Sequence, residues 1–405
     1  MWSVIKNKTW AVRLITYRNL ILLGLTILFY FIAFKLFRYD LNQNEWILGD
    51  WLVNYQDGGF KRRGLSGSFF FKLQDFTGIS LIYLVYSTQL FLYAIFFISF
   101  YKLLSKKRIS PEFFILIFSP VTLLFFFNDI SALGRKEIII FALFSINSLW
   151  YINKNHTNFK LILTSFLLFF FTFWHELILF YAPYFIILHL LHFRSEENHL
   201  KSKINVVLIY FIPVFLSFFL IYCFGLEINK GKSIEILHQR GITMNGGIFT
   251  WNINSIEYIK NNVKSYALYS LPFIYGCLLF LYYISKHYRF KILFLIISAI
   301  AFSIPLFILA IDWGRWIAIH FILILILLGS TLKSENEKHE IIRNNPRNKR
   351  IKDYIIIIIF FVLNLSFGMP HFNNGIRLSR TYILFNKVNK KLHKTLPLFK
   401  LPQKY

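Results

Sequence analysis

Long apolar segments recur along the whole chain and constrain its fold more than any other feature. They lie at about 19–37, 79–101, 112–127, 138–152, 161–193, 204–224, 266–284, 292–311, 316–332 and 354–370. Each segment is continuously apolar rather than alternating, which favours helices over the strands of a barrel. Charged residues make up only 16% of the chain, against roughly 25% in soluble domains. The sequence therefore predicts an all-α, polytopic integral membrane protein and disfavours soluble, disordered and disulfide-rich folds.

The apolar segment 161–193 decides the topology. As one helix its 33 residues would be about 50 Å long, against a hydrocarbon core of about 30 Å. His175 and Glu176 interrupt it in the middle, so we predict two short helices that meet at this pair. The chain then has about eleven transmembrane helices and a cytoplasmic N-terminus. This arrangement leaves the seven Lys and Arg residues of 333–352 on the cytoplasmic side, as the positive-inside rule requires.

The predicted organisation is a single transmembrane helical domain, 1–370, followed by a basic C-terminal tail, 371–405. Two long polar segments, 38–78 and 225–265, form outer loops, and the first span is expected to be a retained signal anchor because no cleavage site follows it. With 45 basic and 19 acidic residues, the net charge is +26. Two explanations compete for this excess of positive charge. One is the enrichment of Lys and Arg in cytoplasmic loops, and the other is the binding of an anionic ligand. The sequence has no solvated basic domain, so nucleic acid is not an expected partner.

Several polar clusters fall on the outer face in this topology. They contain Asp50, Lys61, Arg62 and Arg63; Arg135, Lys136 and Glu137; His175 and Glu176; Arg240; and Asp312 and Arg315. Lys and Arg favour the cytoplasmic side, so basic residues on the outer face require a reason. Arg binds phosphate oxygens bidentately, and a carboxylate or His can accept a hydroxyl proton. Such a set suits a diphosphate leaving group and a sugar hydroxyl, although glycine turns, helix ends and local ion pairs also explain individual clusters.

Short motifs in this order resemble those of membrane proteins of polysaccharide assembly. They are Gly-Gly-Phe-Lys-Arg-Arg-Gly-Leu from Gly58, Gly-Arg-Lys-Glu from Gly134, His175-Glu176, and Asp-Trp-Gly-Arg-Trp from Asp312. The pattern is similar to C-type glycosyltransferases and to O-antigen or capsule polymerases, over about residues 20–332. Two features depart from it. The first outer loop lacks an Asp-Glu pair, and the loop at Asp312 is shorter than the late outer loop of most O-antigen polymerases.

The resemblance implies a multi-pass glycosyltransferase of the bacterial inner membrane that polymerises lipid-diphosphate-linked repeat units of a surface polysaccharide. It implies a polyprenyl-phosphate or diphosphate saccharide as substrate and the bilayer as environment, with a chain-length regulator protein as a further partner. The expected catalytic residues are Glu176, His175, Asp50 and Asp312. The expected substrate-binding residues are Lys61, Arg62, Arg63, Arg135, Lys136, Glu137, Arg240 and Arg315. No nucleotide or redox cofactor is expected, because the donor is already activated. The sequence shows no metal-ligand spacing, and dependence on a divalent metal stays open at this point.

Two other functions remain open at this point. One is a transferase that adds a single sugar from a polyprenyl-phosphate donor. The other is a flippase for the same lipid-linked oligosaccharide, which would bind similar ligands without performing chemistry. A flippase should place charge at mid-depth in both halves of the chain and show an internal repeat. The sequence shows no repeat, and the polar clusters lie toward one face.

Overall fold

The computed structural model describes residues 17–153, 157–192, 200–288, 290–333, 347–372 and 375–395. Six of the helices in these ranges are long and apolar enough to span a membrane: Tyr17–Leu41, Leu81–Leu104, Asn205–Phe224, Val263–His287, Lys291–Leu309 and Trp313–Thr331. Four shorter apolar helices accompany them: Ile138–Ile152, Asn158–Thr172, Ile178–His192 and Tyr354–Ser366. The predicted class, an all-α multi-pass membrane protein, agrees with this architecture. The predicted count of eleven spans stays a prediction.

The helices follow one another with short connections for most of the chain. In chain order they are α1 (Tyr17–Leu41), α2 (Ile47–Leu52), α3 (Gly64–Thr77), α4 (Leu81–Leu104), α5 (Pro111–Ile117), α6 (Leu123–Asn128), α7 (Ile138–Ile152), α8 (Asn158–Thr172), α9 (Ile178–His192), α10 (Leu200–Phe224), α11 (Lys230–Gln239), α12 (Ser255–Asn261), α13 (Val263–Ala267), α14 (Ser270–His287), α15 (Phe290–Phe302), α16 (Ile304–Leu309), α17 (Trp313–Thr331), α18 (Arg347–Ser366) and α19 (Arg380–Thr395). Two 3₁₀ turns span Ile130–Ala132 and Gly247–Thr250. A small antiparallel pair joins β1 (Phe367–Gly368) to β2 (Arg377–Leu378).

The apolar segment 161–193 forms two helices, as predicted. Helix α8 ends at Thr172 and α9 begins at Ile178, so His175 and Glu176 lie in the connection. Each helix has 15 residues and is about 22 Å long at 1.5 Å per residue. The polar pair is thereby placed at the ends of two helices rather than in the middle of one.

The apolar segment 112–127 differs from its predicted single span. It forms two short helices, α5 and α6, with irregular backbone at 118–122. Pro120 lies in this break and cannot donate a backbone hydrogen bond. The Thr122 hydroxyl lies within hydrogen-bonding distance of the carbonyls of Leu116 and Ile117, at 2.6 and 2.9 Å. A buried side chain thus supplies the polar contacts that a continuous helix would have made.

Helix α17 is the central helix of the bundle, and 94% of its apolar window is buried inside the protein. It packs against α4, α7 and α9. The outer helices instead expose large apolar side chains, among them Tyr30, Phe91 and Phe219. An apolar outer surface around a buried apolar core is what a lipid environment favours, because lipid tails solvate such side chains.

The connections gather at two distinct ends of the helices. At one end Lys107 donates to the carbonyl of Leu332 at 2.7 Å, and the Arg108 amide donates to the carbonyl of Lys333 at 3.1 Å. At the same end Lys286 lies 3.2 Å from Glu112. The other end, which we call the site end, carries α2, α3, the loops 129–137, 173–177 and 225–262, residues 310–312, and residues 367–372 and 375–379.

Close backbone contact fixes the first loop of the site end. The Gly67 amide in α3 donates to the carbonyl of Val53 just after α2, at 2.9 Å. A Cβ atom added at Gly67 would lie 2.3 Å from that carbonyl oxygen, so only glycine allows the approach. Gly67→Ala is expected to destabilise the protein by about 1–3 kcal/mol through overpacking.

Thermal unfolding in detergent measures this effect. Gly231→Ala in α11 is the matched control, because no atom lies within 4 Å of the added methyl group. Equal melting temperatures for the two variants would contradict the proposed packing of α2 on α3.

Candidate functional site

The side chain of Arg63 links α2 to the turn between α8 and α9. It directly precedes α3 with a positive φ of 64°, which turns its side chain back toward α2. Its Nη1 donates to Asp50 of α2 at 3.0 Å, and its Nε and Nη2 donate to Glu176 at 3.0 and 2.8 Å. Asp50 is fully buried. A guanidinium held by two carboxylates in this fork is a rigid element of the site.

Glu137 makes a similar link between His175, in the turn between α8 and α9, and Arg315 in α17. It directly precedes α7 and lies 3.0 Å from the Nη1 of Arg315, in the first turn of α17. The Nε2 of His175 lies 3.7 Å from the same carboxylate, and Arg315 also pairs with Asp312. Burial opposes ionisation of Glu137, but Arg315 and His175 lower its pKa to about 2.

These contacts form one continuous chain of charged and polar groups at the site end. Its members, in order, are Asp50, Arg63, Glu176, His175, Glu137, Arg315 and Asp312. Lys136 lies beside this chain, donating to the Ser66 hydroxyl at 2.8 Å and to the Trp174 carbonyl at 3.1 Å. Burial lowers the pKa of Lys136 to about 8. Most of the residues selected from sequence therefore lie together, although they come from five separate parts of the chain.

A cavity of about 870 Å³ lies against this chain of groups. Its polar wall contains Arg62, Arg63, Arg135, Glu176, Asp312, Arg315 and His371. The opposite wall is apolar and is contributed by α9, α10 and α16; it includes Phe180, Phe218, Ile221, Tyr222, Leu306 and Leu309. Tyr222 and Leu309 are 81% and 62% exposed on the outer surface of the bundle. The cavity thus joins a basic wall to a surface that faces lipid.

The polar segments 38–78 and 225–265 meet at the entrance of the cavity. The Thr243 amide donates to the Gln43 side chain at 2.5 Å, and the Asn245 amide donates to Glu45 at 3.2 Å. Trp46 packs edge-on against Trp251, with ring centroids 5.0 Å apart. These contacts hold the loop 225–262 over the start of α2, so that the loop covers one side of the cavity.

Arg135 differs from the other cations of the cavity wall. Arg62, Arg63 and Arg315 each lie within 4 Å of a carboxylate, whereas Arg135 makes no ion pair among the described residues. Its Nη1 donates to the Trp46 carbonyl at 3.0 Å, and its Nε is buried without a hydrogen-bond partner in the described residues. Burial and the neighbouring Arg315 lower the pKa of Arg135. Because no carboxylate of the described residues pairs with this guanidinium, its positive charge is available to an anion in the cavity.

Two residues selected from sequence, Lys61 and Arg240, lie outside both the chain of charged groups and the cavity wall. Lys61 is buried and pairs with Asp57, which also accepts a hydrogen bond from the Ser233 hydroxyl of α11. Arg240 pairs with Asp75 at 2.8 Å, and its guanidinium lies over the Phe71 ring at 4.4 Å. Neither side chain lines the cavity. Both contacts join the loop 225–262 to the first outer loop.

The sequence reasoning did not select two further residues at the cavity, His371 and Asp129. His371 lines the cavity and its Nδ1 lies 2.9 Å from Asp129. The signal was weak, because His371 is the first residue of the predicted basic tail and Asp129 directly follows an apolar segment. The structure packs residues 367–372 and 375–379 against the helical bundle, so the predicted boundary at 371 falls inside a segment that contributes to the site.

Within the described residues, no group of three or more His, Cys, Asp or Glu side chains is arranged to hold a metal ion. The arrangement instead supplies guanidinium groups for an anion, an apolar wall for a hydrocarbon chain and one histidine at the cavity surface. No protein-family model, curated protein or solved structure matches this chain.

Proposed function

We propose that this protein is a glycosyltransferase of the bacterial inner membrane that polymerises lipid-diphosphate-linked oligosaccharide repeat units, as O-antigen and capsule polymerases do. The single observation that carries the proposal is the guanidinium of Arg135 in the cavity wall, which no carboxylate of the described ranges neutralises. Arg135 is partly buried, and its Nε is shielded from solvent. A cation so placed is costly unless a ligand supplies the negative charge. A diphosphate is such a ligand, and guanidinium groups bind its oxygens in bidentate fashion.

The apolar wall of the cavity supports a lipid-linked substrate. It reaches the outer surface of the bundle at Tyr222 and Leu309, where a polyprenyl chain can remain in the bilayer while its diphosphate enters the cavity. A cavity of about 870 Å³ is also at the upper end of ordinary ligand sites, which suits an oligosaccharide. Both properties support a substrate that is lipid at one end and glycan at the other.

The proposed topology places this cavity on the outer face. In this topology the chain alternates between the two ends of the bundle. The ten apolar helices each cross the membrane once, and α5 and α6 together form one further crossing at 111–128, which gives eleven crossings. The segment 333–352, which contains seven Lys and Arg residues, then belongs to the cytoplasmic side with the N-terminus. The site end, including residues 367–379, faces outward, where repeat units are joined.

In the proposed reaction, Arg62 and Arg135 bind the diphosphate and stabilise the charge that develops on the leaving group. Arg63 and Arg315 are already neutralised by carboxylates, so they position the wall of the site and share in binding. Stabilising the negative charge that builds up on the diphosphate as the bond breaks is the main electrostatic task of this chemistry. The donor is pre-activated, and no nucleotide is required.

A deletion strain tests the proposal directly. Its surface glycan, resolved by electrophoresis, is expected to lose the ladder of chain lengths and retain a single short band, which the wild-type protein restores. A uniform shift in mobility with unchanged ladder length would instead indicate a single-sugar transferase. Complete loss of surface glycan would indicate a flippase or an earlier step, and either result overturns the polymerase proposal.

A further inference from the structure

His371 is fixed at the cavity wall by three contacts. Its amide donates to Asp129 at 2.6 Å, and its ring Nδ1 lies 2.9 Å from the same carboxylate oxygen. Its carbonyl accepts the Gly314 amide at 3.1 Å, at the start of α17. A Cβ atom at Gly314 would lie 1.9 Å from the Pro370 carbonyl, so this glycine lets the segment approach the helix.

The contact with Asp129 sets the tautomer of the imidazole ring. Asp129 is buried; burial opposes its ionisation, but His371 and Arg377 lower its pKa to about 2. A carboxylate accepts hydrogen bonds only, so Nδ1 of His371 carries the proton. Nε2 then has a free lone pair, and it has no hydrogen-bond partner among the described residues. The ring lines the cavity, so this lone pair is available to a bound hydroxyl.

The other candidate bases are less suited to accept a proton. Glu176 accepts three hydrogen bonds from Arg63, and Asp312 pairs with Arg315. Asp50 is fully buried behind Arg63 and does not line the cavity. Burial opposes ionisation of Glu176, but Arg63 holds its pKa well below the usual range and makes it a weak base.

His175 is excluded by its orientation. Its Nδ1 accepts the amide of Leu177 at 3.4 Å, so the proton lies on Nε2, which faces Glu137 at 3.7 Å. The ring is 2% exposed and does not line the cavity. Among the described residues of the cavity wall, His371 is the one histidine.

We propose that His371, oriented by Asp129, is the general base of the transfer reaction. The acceptor hydroxyl oxygen forms a bond to the anomeric carbon of the donor sugar while the bond from that carbon to the diphosphate oxygen breaks. The hydroxyl proton moves to Nε2 of His371, and the bonding electron pair leaves on the diphosphate, beside Arg135. Asp129 stabilises the imidazolium that forms. This inference rests on the proposed polymerase function and assigns its proton acceptor.

The test uses the purified full-length protein in detergent with lipid-linked repeat units extracted from the deletion strain. His371→Ala keeps the backbone contacts to Asp129 and Gly314, and is expected to slow chain elongation by about 10²–10⁴-fold. Added imidazole is expected to restore part of the rate in this variant, because it can occupy the space of the lost ring. Asp129→Asn should also slow elongation, and imidazole should not restore its rate.

Binding is measured separately, as the shift in melting temperature caused by polyprenyl diphosphate. The shift should persist in His371→Ala and disappear in Arg135→Ala. His238→Ala is the matched control, because that ring contacts the Met244 carbonyl outside the cavity.

Two results overturn the assignment of the base. One is a His371→Ala protein that elongates chains at the wild-type rate. The other is a His371→Ala protein that binds polyprenyl diphosphate but is inactive and does not respond to imidazole. No melting shift in the wild-type protein would instead count against the proposed function.

Discussion

Arg135→Ala is expected to reduce surface glycan from a ladder of chain lengths to single repeat units, while the protein remains folded. The guanidinium lines the cavity and makes no ion pair among the described residues, so its removal leaves no buried carboxylate unpaired. A donor aimed at developing negative charge is worth about 10²–10³-fold in rate. Arg135→Lys is expected to restore only part of the activity, because an ammonium lacks the bidentate fork that matches phosphate oxygens.

Lys232→Ala is the matched control for the loss of one positive charge at the site end. Lys232 lies in α11, is exposed, and does not line the cavity. Its ladder should equal that of the wild type. A full-length ladder from Arg135→Ala would contradict the role of this residue in binding the diphosphate.

Arg63→Gln is expected to have the largest effect on stability. The variant leaves Asp50 and Glu176 without their guanidinium partner, and one oxygen of Asp50 is already without a hydrogen bond in the described residues. Removing one member of a buried ion pair costs about 3–5 kcal/mol. Denaturant titration of the purified protein measures this loss.

Two further variants test whether the stability loss of Arg63→Gln comes from its buried ion pairs. Arg62→Gln, one residue earlier in the same loop, removes a 61% exposed side chain that lies 3.7 Å from Glu176, and is expected to change stability by less than about 0.5 kcal/mol. Adding Glu176→Gln to Arg63→Gln is expected to recover part of the lost stability, because the two side chains are directly coupled. Equal losses for Arg62→Gln and Arg63→Gln would show that the buried ion-pair chain does not stabilise the site end.

Much of the helical fold follows from the sequence alone because the bilayer imposes simple length and polarity rules. The break at His175-Glu176 was predictable, since 33 apolar-rich residues exceed the thickness of the hydrocarbon core. The break at 118–122 was not, because Pro120 is a single interruption and the hydroxyl of Thr122 supplies polar contacts there. Hydrogen bonds from a single hydroxyl to nearby carbonyls do not change the hydropathy of the segment, so the break cannot be recognised from hydropathy.

The convergence of Asp50, Arg63, Glu176 and Arg315 was predictable in outline for a different reason. Ionisable residues near a membrane are costly unless they pair with one another, so clusters on one face of the bundle tend to meet. Individual partners could not be derived in this way. Lys61 carries the same charge as Arg63 but pairs with Asp57 outside the cavity, and no spacing rule distinguishes the two.

The pair formed by Asp129 and His371 was beyond sequence reasoning. The two residues are 242 positions apart, and each follows an apolar segment without a local motif. Their contact depends on how residues 367–372 pack against the start of α17, where the Gly314 amide donates to the His371 carbonyl. Long-range contacts of this kind are set by tertiary packing rather than by periodicity or charge pattern.

The most direct measurement of the central claim is elongation by the purified protein reconstituted in liposomes with lipid-linked repeat units as the only glycan. The account predicts products of several repeat units, with one polyprenyl diphosphate released for each bond formed, and neither in liposomes that contain Arg135→Ala. Movement of unextended repeat units across the bilayer, with no polyprenyl diphosphate released, would contradict the account and identify the cavity as part of a transport pathway.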